Sequence, residues 1–313
     1  MISFGTLVSL YVAWLKQENR PSATRYQAIY RQFFLRPEWS ERPADAITRH
    51  EVLYFKQTHS HAPAQCAKAL GLIKQAYNWA ADRIDPMTMQ PYYTGTNPAW
   101  RIAKHESCSR ERMMDRDEIR RVLTEVCHLD PMYHALFVTR LLTPCRIKEL
   151  CAMRWDAVEW TTGKWFKRYT KNKRPQYVLI PRQAVALLLQ LPRAGEFVFP
   201  GHYNRPLQPG SAAKAWAIFR KDSKLPKDLQ LLDFRRTLAS YLYTEIHADD
   251  LTAKAVLNHY DARPVAIYTR LNYDRLAGIL QQYADWVWSL MQPVKPLPSS
   301  ASFHLSLQRE VRA

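Results

Sequence analysis

Four short segments carry the residue types needed to hold and attack a phosphodiester. LLTPCRIKELCAMRW puts Arg146 at the start of a helix, with Glu149 three residues on and Trp155 beyond it. RYTKNKRPQYVLIP gathers Lys171, Lys173 and Arg174 in a polar turn between two β-prone runs. LQLLDFRRTLAS carries Asp233, Arg235 and Arg236, and AVLNHYDARPVAIYTRL sets Tyr268 nine residues after His259. Guanidinium groups stay protonated and present planar pairs of donors that match phosphate oxygens, so two of them suit the charge that must be held during attack. A tyrosine hydroxyl is a nucleophile once deprotonated, which at neutral pH costs ~4 kcal/mol from its reference pKa and is offset by a cationic pocket. Taken singly, each segment has a plainer reading. Arg146 is then a surface or salt-bridging residue, the lysine-rich tip a solvated turn, and the His–Tyr pair core packing, with Tyr260 and Tyr273 as neighbours of the same type.

The elements that must position these segments are mostly helical. Phe4, Leu7, Val8, Tyr11 and Leu15 form one apolar face, and Tyr26, Ile29, Tyr30, Phe33 and Phe34 form a second. Thr48 with Glu51 makes a capping-box start, and a longer helix begins after Pro63, with Cys66, Leu70, Ile73, Tyr77 and Ala81 on its apolar side. The run DPMTMQPYYTGTNPAW, broken by Pro86, Pro91 and Pro98, closes this bundle, and the polar stretch after it places a linker at about residues 102–113. Asp115 and Glu118 then cap a new helix, followed by the apolar segment HALFVTRLL. KWFKRYT, PQYVLIP and GEFVFPG read as short strands, and five further helical segments run to DRLAGILQQYADWVWSL. The expected fold class is therefore mainly α with a small antiparallel sheet (α+β), in a helical domain over 1–106, a second domain over 107–292 and a mobile tail over 293–313.

Forty-five Lys and Arg against 28 Asp and Glu give a net charge of +17, shared by both halves of the 313 residues. Such an excess favours a polyanionic partner, nucleic acid first. No stretch approaches the roughly 18 uninterrupted apolar residues of a membrane span, and the start lacks a signal peptide, so the expected location is the cytoplasm. The five cysteines form no C-x-x-C pair, and His59 and His61 read as loop residues, so no metal site is expected.

In order and together, the four segments resemble the tyrosine recombinases of the phage-integrase type. Thr143, Arg146, Glu149, Leu150 and Trp155 match that family's first arginine box, with Pro144 at its usual glycine. Lys171 falls on the catalytic lysine of its hairpin, with Lys173 as reserve. Asp233, Arg235, Arg236 and Thr237 match the second box, where Leu232 stands at the position usually occupied by histidine. His259 and Tyr268 match the third box, with Asn258 at its usual glycine. The likeness extends upstream through PSATRYQ, NPAW and MMDRDEIRRVL, to cover residues 3 to about 290.

The resemblance implies a site-specific recombinase that joins DNA through a covalent phosphotyrosine. Tyr268 would be the nucleophile, Arg146 and Arg235 the phosphate clamps, Lys171 the acid for the leaving oxygen and His259 an orienting group. Lys173, Arg174 and Arg236 would contact DNA. No cofactor is implied, because the phosphotyrosine preserves the bond energy needed for rejoining. The implied partners are double-stranded DNA attachment sites, further copies in a homotetramer on two DNA sites, and a directionality factor. The expected context is integration or excision of a mobile genetic element. A segment after the tyrosine docks on the neighbouring protomer in the family, and the apolar last helix suits either that use or core packing. Leu232 can neither donate nor accept a proton, so His259, Asp233 or water must carry the tyrosine proton. An alternative is a DNA-binding regulator or architectural protein on the same fold with an impaired site. A metal-dependent nuclease would need clustered carboxylates, which the sequence does not offer.

Overall fold

A computed structural model describes residues 2–103, 111–167, 176–258 and 273–291. The chain divides into two compact units, Met1–Arg110 and Glu111–Ala313, each with its own apolar core.

The first unit packs α1 (Phe4–Gln17), α2 (Ser22–Phe33), the short α3 (Pro37–Ser40), α4 (Arg49–Thr58) and α5 (Pro63–Ala81). Phe4, Leu7, Val8, Tyr11 and Leu15 are buried on α1, as their spacing requires. Thr48 and Glu51 form the capping box that starts α4, and Pro63 opens α5, where its missing N–H is no loss. Phe34 and Tyr77 are fully buried against Phe4, and the Tyr77 hydroxyl donates to the Ala44 carbonyl at 2.7 Å. The proline-rich run after α5 holds a two-residue ribbon, β1 (Ile84–Asp85) paired antiparallel with β2 (Gln90–Pro91).

The second unit is built round α7 (Pro131–Leu142), of which eight successive residues, Ala135 to Leu142, are buried. Against it lie α6 (Arg116–Val126), α8 (Ile147–Cys151), α9 (Arg182–Leu189), α11 (Leu231–Thr244) and α13 (Tyr273–Ser289), with α10 (Pro209–Asp222) and α12 (Asp250–Val256) completing the unit. The Asp115–Glu118 capping box starts α6. A three-stranded antiparallel sheet runs β3 (Val158–Glu159), β4 (Lys164–Lys167), β5 (Gln176–Leu179). Gly163, at φ +67°, makes the turn into β4 so close to β5 that an added Cβ would lie 2.3 Å from the Ile180 carbonyl oxygen.

One expectation is corrected. GEFVFPG is no strand: it makes only isolated bridges, Phe197 with Arg154 and Pro200 with Pro206, because glycines at both ends and Pro200 leave too short a run to pair. The third strand is instead β3. The last helix, α13, buries Leu276, Leu280, Tyr283, Ala284 and Val287 in the core of its own unit, and Trp286 packs on Tyr241 of α11 at 4.5 Å. Of the two uses left open for this helix, these residues serve core packing. No helix among the described residues is long and apolar enough to cross a membrane.

Candidate active site

Arg146 is the N-cap of α8. Its backbone N–H donates to Glu149 Oε2 at 3.1 Å and its guanidinium to Oε1 at 3.2 Å, so one carboxylate closes the helix start and steers the arginine. The Arg146 side chain keeps 43% of its surface exposed, which leaves it open to an outside anion. The same carboxylate accepts from Lys167 Nζ at 2.8 Å, with both side chains largely buried. Burial would raise Glu149, but the hydrogen bond and charge of Lys167, followed by Arg146, outweigh it and hold the carboxyl below its usual range.

Arg235 lies on the second turn of α11. It donates to the Pro144 carbonyl, just before Arg146, and at 2.7 Å to the Leu257 carbonyl at the end of α12. One guanidinium therefore ties together the ends of three segments: the approach to Arg146, the second arginine's own helix, and the residues preceding His259. Burial first, then the charges of Arg146 and Arg140, pushes Arg235 down to about 10, which leaves it charged at neutral pH. At the position usually glycine in the first box, Pro144 supplies the carbonyl that Arg235 donates to. At Asn258 the backbone is left-handed, φ +52°, a conformation asparagine tolerates better than most residues, so it ends α12 as glycine would.

The start of α11 has a different character. Gln230 N–H donates to Asp233 Oδ2 at 2.8 Å and Arg236 to Oδ1 at 2.8 Å, while Asp233 is fully buried. A carboxylate so enclosed and so engaged serves as a helix cap and a counter-ion. Arg236 spends charge on Asp233 and retains 31% side-chain exposure. Leu232 is 52% exposed on the same turn, an apolar side chain where a proton carrier would stand.

Of the residues singled out from sequence, Arg146 and Arg235 are thus brought together, with Arg236 and Leu232 on the adjoining turn. Lys171, Lys173, Arg174, His259 and Tyr268 lie outside the described residues. Lys167 and Gln176, on either side of residues 168–175, pair in register. Lys167 and Arg140 were missed. Alternation along KWFK puts Lys167 on the same side as buried Trp165, a signal that the lysine points inward.

The sequence profile of the phage integrase family matches residues 112–275, more than half of the chain and all four segments. The chain belongs to the phage integrase family. Comparison of this integrase-family chain with curated protein sequences gave no match. Among solved structures it resembles a lambda integrase (75–356) dimer bound to a COC′ core site, at 16% identity and a TM-score of 0.66, over 83% of this chain and 96% of that one. It resembles a lambda integrase tetramer bound to a Holliday junction at 15% and 0.66, over 87% and 81%. The Tn1549 transposon integrase in complex with circular intermediate DNA matches at 12% and 0.61, over 91% and 99%. These likenesses establish the tyrosine-recombinase fold.

Proposed function

We propose that this chain is a site-specific DNA recombinase that cleaves and rejoins strands through a phosphotyrosine on Tyr268, and that it integrates or excises a mobile element. The observation that carries the reading is the meeting of Arg146 and Arg235, each held by groups that leave its charge intact and its helix start rigid. Two such guanidiniums fit the nonbridging oxygens of a phosphodiester, and each charge pair contributes on the order of 4 kcal/mol at ~4 Å before desolvation is counted.

In this mechanism the Tyr268 oxygen attacks phosphorus, the bond to a sugar oxygen breaks, and Lys171 gives that oxygen a proton. His259 hydrogen-bonds the phosphate and orients it. With Asp233 committed to its cap and Leu232 apolar, the tyrosine proton leaves to His259 or to water. Rejoining is the reverse attack by a sugar hydroxyl of the exchanged strand, so no external energy source is consumed. Lys173 and Arg174 contact the backbone near the cleaved bond, Arg236 through whatever charge Asp233 leaves it. The helical domain over 1–106 adds further DNA contacts, and four copies act on two attachment sites, with a directionality factor setting the outcome.

Incubation with DNA from the flanks of its own gene, in EDTA, followed by denaturing gels, tests this reading. A denaturant-resistant adduct that Tyr268→Phe abolishes supports it. The exposure of Leu232 favours one competing reading, a DNA-binding protein with an impaired site. Tight DNA binding without an adduct, corrected by Leu232→His, would establish that one instead.

A further inference from the structure

Arg140, on the last turn of α7, is the largest fully buried side chain among the described residues, with 1% of its surface exposed. Its Nε and Nη1 have no hydrogen-bond partner among the described residues. A buried guanidinium is ordinarily paired, since taking an isolated charge out of water is costly. The groups whose charge acts on it are Cys145, Glu149, Tyr283 and Arg146, and it acts in turn on Arg235. None of them neutralises it. Burial holds the Cys145 thiol and the Tyr283 phenol above their usual values, so both stay uncharged at neutral pH. Glu149 is already engaged by Lys167 and Arg146. Among the described residues, four cations, Arg140, Arg146, Lys167 and Arg235, therefore face one carboxylate. They are graded in depth, from buried Arg140 through half-buried Arg235 to Arg146 at the surface.

We propose that Arg140 is a positioning residue of the phosphate site, a charge buried behind Arg146 and Arg235 that lacks its counter-ion until an anion fills the site in front of them. The empty site bears the excess positive charge as a loss of stability. An occupying phosphate relieves it, and the relief is larger as more negative charge gathers on the phosphate oxygens during attack. Arg140 acts through the field it adds to the two arginines and touches neither the phosphate nor the tyrosine.

A buried residue that only packs would destabilise the protein when replaced, whatever ions are present. A buried uncompensated charge does the opposite. The test compares the full-length protein with Arg140→Met and Arg140→Lys by thermal unfolding, with sulfate as the anion and chloride holding ionic strength constant. Without sulfate, Arg140→Met should melt no lower than wild type, and its sulfate-induced rise in Tm should be less than half that of wild type. Arg140→Lys, which keeps the charge, should keep most of the rise. Equal destabilisation of Arg140→Met with and without sulfate, an unchanged sulfate response, or no response in wild type overturns the proposal. Should the methionine variant not fold, a lysine variant that loses the response overturns it and one that keeps it sustains it. The rate arm rests on the strand-cleavage reading above. Arg140→Met should slow adduct formation on the order of tenfold, less than the hundredfold or more lost with a direct oxyanion donor, and leave DNA affinity within about twofold. If wild type forms no adduct, that reading fails, while the sulfate response still decides for or against Arg140.

Discussion

The helices that carry Arg146 and Arg235 begin in the same way, with a carboxylate three residues after the N-cap that closes the helix and takes a cation. At α8 that carboxylate is Glu149, and the cations are Arg146 itself and buried Lys167 from the sheet. At α11 it is Asp233, and the cation is Arg236 of the following turn. The first start therefore leaves its arginine partly exposed beside a carboxylate braced from β4. The second spends a neighbouring arginine on its own cap, leaves Arg235 to tie segments together, and exposes Leu232. The difference teaches that, in the proposed recombinase, the half of the site that would hold phosphate charge keeps the family's two arginines, whereas the half that would move the tyrosine proton departs from the family at Leu232.

The largest effect expected from breaking this contrast is at the first start. Glu149→Gln strands Lys167 in the core and should lower stability by about 3–5 kcal/mol, as loss of one partner of a buried pair does; chemical denaturation measures it. Restoring a proton carrier by Leu232→His should accelerate adduct formation on the order of a hundredfold, the lower range for a general acid–base group, with single-turnover kinetics as the check. An unchanged rate would mean that the proton already leaves by an efficient path. Asp233→Asn should cost only about 1–2 kcal/mol, near the value of a helix cap, because Arg236 can turn to solvent. A cost equal to that of Glu149→Gln would erase the distinction between the two starts.

The smallest effect is with pH. The folded Glu149 carboxyl lies below its unfolded value, so its contribution is complete above the ordinary carboxylate range, near 4.3, and is lost as pH falls through the folded value. The stability gap between wild type and Glu149→Gln should thus narrow in acid, as paired denaturation curves would register.

Much of this was legible in the sequence, and for physical reasons. Capping pairs such as Thr48–Glu51 and Asp115–Glu118 are local, so both appear where the residue types place them. Helical faces such as Phe4 to Leu15 follow from a single period. The arginine boxes were visible as ordered patterns, but the tertiary partners that give them meaning were not. Nothing in the sequence ties Arg235 to Leu257, or Lys167 to Glu149, because those bonds join residues distant in the chain. Arg140 lies within an apolar helix, where an arginine reads as a lone exception until its burial is known and its Nε and Nη1 are seen to lack partners among the described residues. The third strand went to GEFVFPG because β-prone residues are common in loops that pack on a core, and only pairing separates the two.

The most direct test of the phosphate-holding half is adduct formation by Arg235→Ala in the Leu232→His background, where proton transfer no longer limits the rate. Loss of the adduct on the order of a hundredfold or more, with DNA still bound, is the predicted result. An adduct that forms as fast as in the parent would contradict the assignment of Arg235 to the scissile phosphate, and with it the meeting of the two arginines as the basis of catalysis.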